Sequence, residues 1–394
     1  MRGSKVLVGV SGGIAAYKAV ELVRLLGKRG MEVQVMMTPN AQRFVGPLTF
    51  QALTRKAVPT TSLEPSDDTR IEHIDLATWG DLLCIAPATA NTLAKLAHGV
   101  ADNIVAEVFL AFRGPVLVVP AMNEAMYENE ATQCNIRILR DRGVSVLDPE
   151  VGELACGTTG PGRFPDPVVV ADTVSSMLAP KDLKGKRVLV TAGPTREFID
   201  AVRFISNPST GRMGYAIAKV AAMRGAEVVL VSGPTELQTP LGVERVDVVS
   251  AAQMYQEVMS RREWAEVIVK SAAVADFRPA SRSSAKLKKS QMRELAIPLE
   301  PNPDILKALG EEKDGKILVG FAVESHDLVE NATEKLERKN LDLVVANEAS
   351  EGFAKDTNRV VMIRRDGTLR TTSLMGKEEL AWVILDEVAR LLRG

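Results

Sequence analysis

The chain of 394 residues has only three cysteines, Cys84, Cys134 and Cys156, and their spacing fits neither a metal site nor a paired framework. That scarcity excludes a disulfide-stapled secreted scaffold and suits a reducing cytosol. Charge of one sign is also missing, because 49 basic residues face 50 acidic ones. The balance gives no reason to expect nucleic acid or an anionic membrane surface as the main partner. No apolar run approaches the ~20 residues of a membrane span. The first residues enter a strand pattern directly, without the apolar core of a signal peptide. The dinucleotide fingerprint G-x-G-x-x-G is absent too, since Gly9-Val10-Ser11-Gly12-Gly13-Ile14 does not fit it. These absences leave a soluble, cytoplasmic protein with small-molecule ligands, long enough for two or three domains.

What is present is one plan used twice. Lys5–Val10 reads as a buried strand, Ser11-Gly12-Gly13 as a turn, Gly13–Arg29 as a helix stopped by Gly30, and Glu32–Met37 as the next strand. The plan restarts at Arg187–Ala192. Thr191-Ala192-Gly193-Pro194 breaks that strand, a helix runs from Thr210-Gly211-Arg212-Met213-Gly214 to Arg224-Gly225, and Glu227–Val231 follows. The second copy carries roughly a dozen extra residues between strand and helix. The expected fold is α/β, two tandem doubly wound Rossmann or flavodoxin-like domains with mainly parallel sheets. The polar stretch Ala179–Gly185 divides them into residues 1–180 and 181–394.

In the first domain, the Ser11–Gly13 turn leaves backbone N–H groups at a helix N-terminus, where an anion is favoured. Strand Asp81–Ala86, with Cys84 in its core, leads into Pro87-Ala88-Thr89-Ala90-Asn91-Thr92, and strand Val116–Val119 leads into Pro120-Ala121-Met122-Asn123. Ligands of open α/β sheets bind beyond such carboxyl ends. His73 precedes the third strand. Cys134, on a helix over Glu130–Arg142, reads as packing, whereas Cys156 lies in a glycine-dense loop, Gly152–Arg163, which fits either a flap over a site or an ordinary long connection. A helix over Val168–Leu178 closes this half.

In the second domain the pattern gives strand Arg245–Val249, helix Ala251–Ser260, and strand Val267–Val269 ending in Ser271-Ala272-Ala273-Val274-Ala275-Asp276. A basic run, Lys286-Leu287-Lys288-Lys289, follows. Asn302-Pro303-Asp304-Ile305 reads as a helix start in which Asn302 caps, Pro303 takes the first helical position and Asp304 meets the positive end. Strand Lys316–Phe321 precedes a charged helix with Lys335 and Lys339 on one face. Strand Leu341–Val345, a hairpin of Arg359–Arg364 and Thr368–Leu374, and a last helix from Lys377 to Leu392 complete the chain.

In order, Ser11-Gly12-Gly13-Ile14-Ala15-Ala16-Tyr17-Lys18, the Pro87–Thr92 and Pro120–Asn123 loops with Met126, and Ala155-Cys156-Gly157 with Gly160-Pro161-Gly162-Arg163 resemble the signatures of flavin-dependent cysteine decarboxylases. Ile205–Gly214, Ala272–Asp276, Lys286–Lys289 and Asn302–Ile305 resemble a CTP-dependent ligase. Together they resemble the bifunctional bacterial coenzyme A biosynthesis enzymes, phosphopantothenoylcysteine decarboxylase fused to phosphopantothenate–cysteine ligase, over nearly the whole chain. Thr158 stands where an acidic residue is common, Phe164 replaces a Met, and Arg212 stands where many relatives have Lys.

The resemblance implies FMN at Ser11, Gly12, Gly13, Thr38, Thr89 and Asn91. His73 is implied as a base, Asn123 as the holder of the substrate carboxylate, and Cys156 as the acid that protonates the enethiolate after CO₂ loss. It further implies CTP near Ala272, Asp276, Lys286, Pro303, Asp304, Ile305, Leu306, Phe321, Lys335 and Lys339. Mg²⁺ is implied at Asp276, and Asn207 in handling an acyl-cytidylate. The substrates would be 4′-phosphopantothenate, cysteine and CTP, and the assembly a homo-oligomer with trimeric decarboxylase and dimeric ligase contacts. Two other readings stay open from the residues: an NAD(P)-dependent reductase, and a non-enzymatic flavoprotein module.

Overall fold

A computed structural model describes residues 3–61, 72–153, 157, 159–287, 296–324, 326–348 and 357–393. The chain forms two compact units, Met1–Ala179 and Pro180–Gly394.

The first unit is built on a parallel sheet of five strands: β1 (Lys5–Val10), β2 (Glu32–Met37), β3 (Leu82–Ala88), β4 (Val116–Pro120) and β5 (Ser145–Val146), in the order β2-β1-β3-β4-β5. Both faces are covered, so the strands are apolar runs rather than alternating ones. Val6, Val8 and Val10 pack toward α1 (Ala16–Lys28), while Leu7 meets the opposite layer with Leu83 and Ile85. Each such fully buried Val or Leu contributes roughly 1.5–3 kcal/mol. The helices α2 (Pro47–Thr54), α3 (Glu72–Trp79), α4 (Ala90–His98), α5 (Ile104–Ala111), α6 (Glu124–Glu128), α7 (Glu130–Asp141) and α8 (Pro167–Leu178) complete the layers.

Three expectations change here. The third strand runs two residues further, to Ala88, because Ala88 still pairs with Pro120. Cys134 is exposed rather than packed, since α7 buries Thr132, Asn135, Ile136 and Leu139 and Cys134 falls off that stripe. The glycine-dense loop is largely a hairpin, β6 (Glu150–Glu153) against β7 (Thr159–Arg163). Its glycines hid the strand pattern, because a residue without a side chain carries no alternation.

The second unit has an eight-stranded sheet. Six strands are parallel: β8 (Arg187–Ala192), β11 (Glu227–Ser232), β12 (Val243–Asp247), β13 (Val267–Lys270), β16 (Ile317–Glu324) and β17 (Leu343–Glu348). The antiparallel strands β19 (Val361–Arg364) and β20 (Leu369–Thr371) extend it, giving the order β12-β11-β8-β13-β16-β17-β19-β20. Small two-stranded ribbons pair β9 (Arg196–Phe198) with β10 (Phe204–Ser206), β14 (Phe277–Pro279) with β15 (Leu299–Pro301), and β18 (Thr357–Asn358) with β21 (Met375–Gly376). Helices α9 (Arg212–Met223), α10 (Ala251–Ser260), α11 (Ile305–Glu311), α12 (Leu328–Arg338) and the C-terminal helix Lys377–Leu391 flank the sheet.

The strand expected at Arg245–Val249 lies two residues earlier, because Val249 and Ser250 are taken by the cap of α10: Gln253 Oε1 accepts from both their N–H groups. Strands β16 and β17 end later than their sequence pattern indicated, at Glu324 and Glu348. Asp304, not Asn302, caps α11, accepting from Lys307 N–H at 2.9 Å, so Pro303 lies outside the helix. Asn302 instead donates its side-chain amide to the Ala275 carbonyl at 2.8 Å. Arg224 is buried yet fully engaged, with Nη2 2.6 Å from Asp182 and Nη1 2.8 Å from Asp386.

Candidate active sites at the two switch points

In each sheet the strand order reverses at one crevice, between β1 and β3 in the first unit and between β8 and β13 in the second. Such switch points are where doubly wound sheets hold ligands. The sequence-predicted residues gather at these two places, with informative exceptions.

At the first crevice Ser11 is a tie rather than a wall. Its hydroxyl donates to the Pro87 carbonyl at 2.7 Å and accepts from Thr89 N–H at 3.0 Å, locking the two strand ends together. Its hydroxyl is therefore engaged within the protein, and Ser11 is not among the residues that line the cavity. Gly12, Gly13, Thr38, Thr89, Asn91 and Asn123 do line it, around a volume of about 1050 Å³. Gly12 has no alternative: a Cβ there would stand 2.6 Å from Asn40 Cβ. Thr89 caps α4, and Asn123 caps α6 by accepting from Ala125 N–H at 3.0 Å, so both are fixed by the helices they start. Lys18 and Arg163 add positive charge to the wall. Burial and the nearby Arg163 lower the Lys18 pKa, and its ammonium donates to the Phe164 carbonyl at 2.8 Å.

The covering hairpin is pressed onto this corner. A Cβ on Gly162, which has φ 133°, would meet the Met122 carbonyl oxygen at 2.3 Å, and Met122 N–H donates to Gly162 O at 3.0 Å. Cys156, between β6 and β7 in sequence, lies outside the described residues. His73 is on α3, with Nδ1 3.5 Å from Glu107 Oε2 on α5, and it is not among the residues lining the cavity. The structure thus brings Asn123 to the cavity wall, and His73 is not part of that wall. His98 has a structural role, bonded through Nε2 to Asn135 Oδ1 at 3.0 Å.

At the second crevice the inserted loop folds back over the end of β13. Asn207 donates its amide to the carbonyls of Ala273 at 3.2 Å and Val274 at 3.1 Å. Thr191 and Thr195 accept from the N–H groups of Ala272 and Ala275 at 3.1 and 3.0 Å. Ala272 is buried, Asp276 is exposed, and Asp276 O accepts from Asn302 N–H at 2.8 Å. Pro303 and Asp304 lie beside them in sequence, and Lys339 ion-pairs with Asp304. Ile305 and Leu306 place their side chains in the core, so only their backbone is available to a ligand. Lys335 donates to the Phe321 carbonyl at 2.7 Å. The sequence reading missed Lys270, the last residue of β13, which comes close to Asp276, Asp304, Lys335 and Lys339. A lysine ending an otherwise apolar strand, Val-Ile-Val-Lys, was the available signal.

Lys286 is exposed, and its neighbours Ser283 and Leu287 are bonded to the turn that joins β9 and β10. Asp200, fully buried, accepts from Leu287 N–H at 3.1 Å and from Val202 and Arg203, while Arg203 Nη2 donates to Leu287 O at 2.9 Å. The Arg203 backbone N–H and guanidinium, with further backbone donors, hold the Asp200 carboxyl far below the usual range. A depressed carboxylate contributes stability above its unfolded pKa, near 4, and loses it only as pH falls below that value. The anchor therefore holds throughout neutral pH. Asp200→Ala should speed tryptic cleavage around Lys286 several-fold at pH 7, and equal cleavage rates would show that the ribbon alone holds the loop.

Residues 1–179 match the flavoprotein family, and residues 183–392 match the DNA/pantothenate metabolism flavoprotein C-terminal domain. The class is therefore a flavoprotein unit followed by a pantothenate-metabolism unit. The coenzyme A biosynthesis bifunctional protein CoaBC of Vibrio parahaemolyticus is 44% identical over 397 residues, covering 100% of this chain and 99% of its own. That of Bacillus subtilis is 45% identical over 398 residues, covering 99% and 98%. A solved C-terminal domain of CoaBC shares 46% identity at a TM-score of 0.48, over 54% of this chain and 98% of that one. The chain belongs to the family of coenzyme A biosynthesis bifunctional proteins.

Proposed function

We propose that the protein joins cysteine to 4′-phosphopantothenate with CTP in its second unit and decarboxylates the product to 4′-phosphopantetheine in its first. The observation that carries this reading is the full-length similarity at 44% identity, with a separate cluster of the expected residues at each switch point.

The first crevice fits FMN. Its volume of about 1050 Å³ is ample for a large ligand, and its lining includes Gly12, Gly13 and Thr38. Bound FMN supplies the electron sink that an amide-blocked cysteine cannot obtain by forming an imine. The N–H groups of the Gly12–Gly13 turn would hold its phosphate, with Thr89 and Asn91 beside it. Asn123 would hold the substrate carboxylate, His73 would take a proton, and Cys156 would return one to the enethiolate. His73, outside its own chain's cavity, fits a site completed by a second copy, in keeping with trimeric contacts for this half and dimeric contacts for the ligase.

In the second unit, Lys286, Lys335 and Lys339 would offset triphosphate charge. Among the described residues no group of three or more His, Cys, Asp or Glu forms a metal cage. A single carboxylate, Asp276, suits Mg²⁺ that arrives with phosphates and keeps its waters. Asn207 would position the acyl-cytidylate through the Ala273–Val274 turn it already holds.

Incubating the protein with 4′-phosphopantothenate, cysteine, CTP and Mg²⁺ should give 4′-phosphopantetheine by mass spectrometry. The purified protein should also be yellow with releasable FMN, whereas a colourless protein that takes up no FMN refutes the first half and reopens the reductase reading. Fragments Met1–Ala179 and Lys186–Gly394 should each retain one activity, because each unit has its own core and crevice. Two inactive but folded fragments would show that the sites depend on each other.

A further inference from the structure

We infer that Lys270 is an additional nucleotide-binding residue of the ligase site, donating through its ammonium to an oxygen of the bound nucleotide. The inference rests on the ligase reading above.

Lys270 ends β13, the strand that flanks the switch point, and pairs in register with Thr191 of β8 and Gly320 of β16. It therefore stands at the carboxyl edge in the middle of the sheet, one residue before the Ser271–Asp276 turn. Its ammonium has three N–H groups. Among the described residues its hydrogen-bond acceptor is the Ala272 carbonyl, at 3.2 Å. The charges around it are Lys335 and Lys339 from the end of α12, Asp304 from the start of α11, and Asp276 from its own turn. Three cations thus face two carboxylates. Asp304 is already engaged by Lys339 and by Lys307 N–H, and Asp276 is exposed.

A largely buried ammonium with one neutral partner and two neighbouring cations is costly to keep, and packing alone would be better served by an apolar side chain of the same length. Burial, reinforced by Lys335, pulls the Lys270 pKa down to about 8. An oxygen of a nucleotide placed between these cations relieves both problems, because it supplies the missing acceptor and the missing negative charge. Perturbed ionisable groups collect at functional sites for this reason.

The test compares Lys270→Met with Lys270→Arg, in the full-length chain, by CTP-binding calorimetry and steady-state ligation. Lys270→Met should weaken CTP binding and raise the CTP KM about tenfold, leaving the KM for 4′-phosphopantothenate within twofold and decarboxylation unchanged. Lys270→Arg should recover most of the CTP affinity. Competition by CMP and by cytidine identifies the oxygen: a defect confined to CTP places it on the outer phosphates, and one shared by cytidine places it on the nucleoside. If Lys270→Met binds CTP as tightly as wild type and melts at a higher temperature, Lys270 is a packed lysine and the assignment falls. Wild-type protein that binds CTP in a Lys270-dependent way but forms no amide would sink the ligase reading and keep this one.

Discussion

His73→Asn is expected to lower CO₂ release from 4′-phosphopantothenoylcysteine by 10²–10⁴-fold, on the order of the usual contribution of a general base, with substrate recovered intact. Imidazole suits proton abstraction because its unperturbed pKa lies near working pH. Asparagine keeps much of the shape and removes the base. The half-buried position of His73 against Glu107 makes the substitution structurally mild, so the loss should appear with FMN content unchanged. Cys156→Ser should fail on the other side of decarboxylation. It should release CO₂ and then stall, accumulating an enethiol in place of phosphopantetheine, because a serine hydroxyl is a far weaker acid than a thiol. Anaerobic single-turnover assays that follow CO₂ and product separately distinguish the two. Normal phosphopantetheine yield from Cys156→Ser would leave the final proton without a named donor.

Lys286→Ala is expected to cut CTP-dependent ligation about 10²-fold, the equivalent of ~2.7 kcal/mol for one removed charge-stabilising donor, with decarboxylation as the internal control. Among the described residues no hydrogen bond or ion pair uses this side chain. It is exposed, and the hydrogen bonds that place its loop run through the backbone of Leu287 and Ser283 to Asp200, Arg203 and Ile199. Alanine therefore removes a charge without moving the loop. A variant that ligates at the wild-type rate would make Lys286 an ordinary solvated lysine.

The sequence alone determined the double plan. Apolar strands β1 and β8, each followed by a turn and a glycine-stopped helix, are local features, and a short β-branched apolar run ended by turn residues reads as a strand buried on both faces. It also determined which loops matter, because the small polar residues after β3, β4 and β13 stand at strand ends. The roles of individual side chains were less legible. Ser11 and Thr89 look alike on paper, yet Ser11 is consumed tying β1 to β3 and Thr89 faces the cavity. Ile305 and Leu306 belong to a nucleotide-type motif but spend their side chains on the core. His73 carries the right chemistry but lies outside its own chain's cavity. Lys270 carried no motif at all. Its significance arises when α11 and α12 bring Asp304, Lys335 and Lys339 to the end of β13 from positions 34 to 69 residues away. Periodicity reports burial one element at a time, so it fixes strands and helices. Charge, hydrogen-bond satisfaction and access depend on which distant elements meet, and only the tertiary structure decides that.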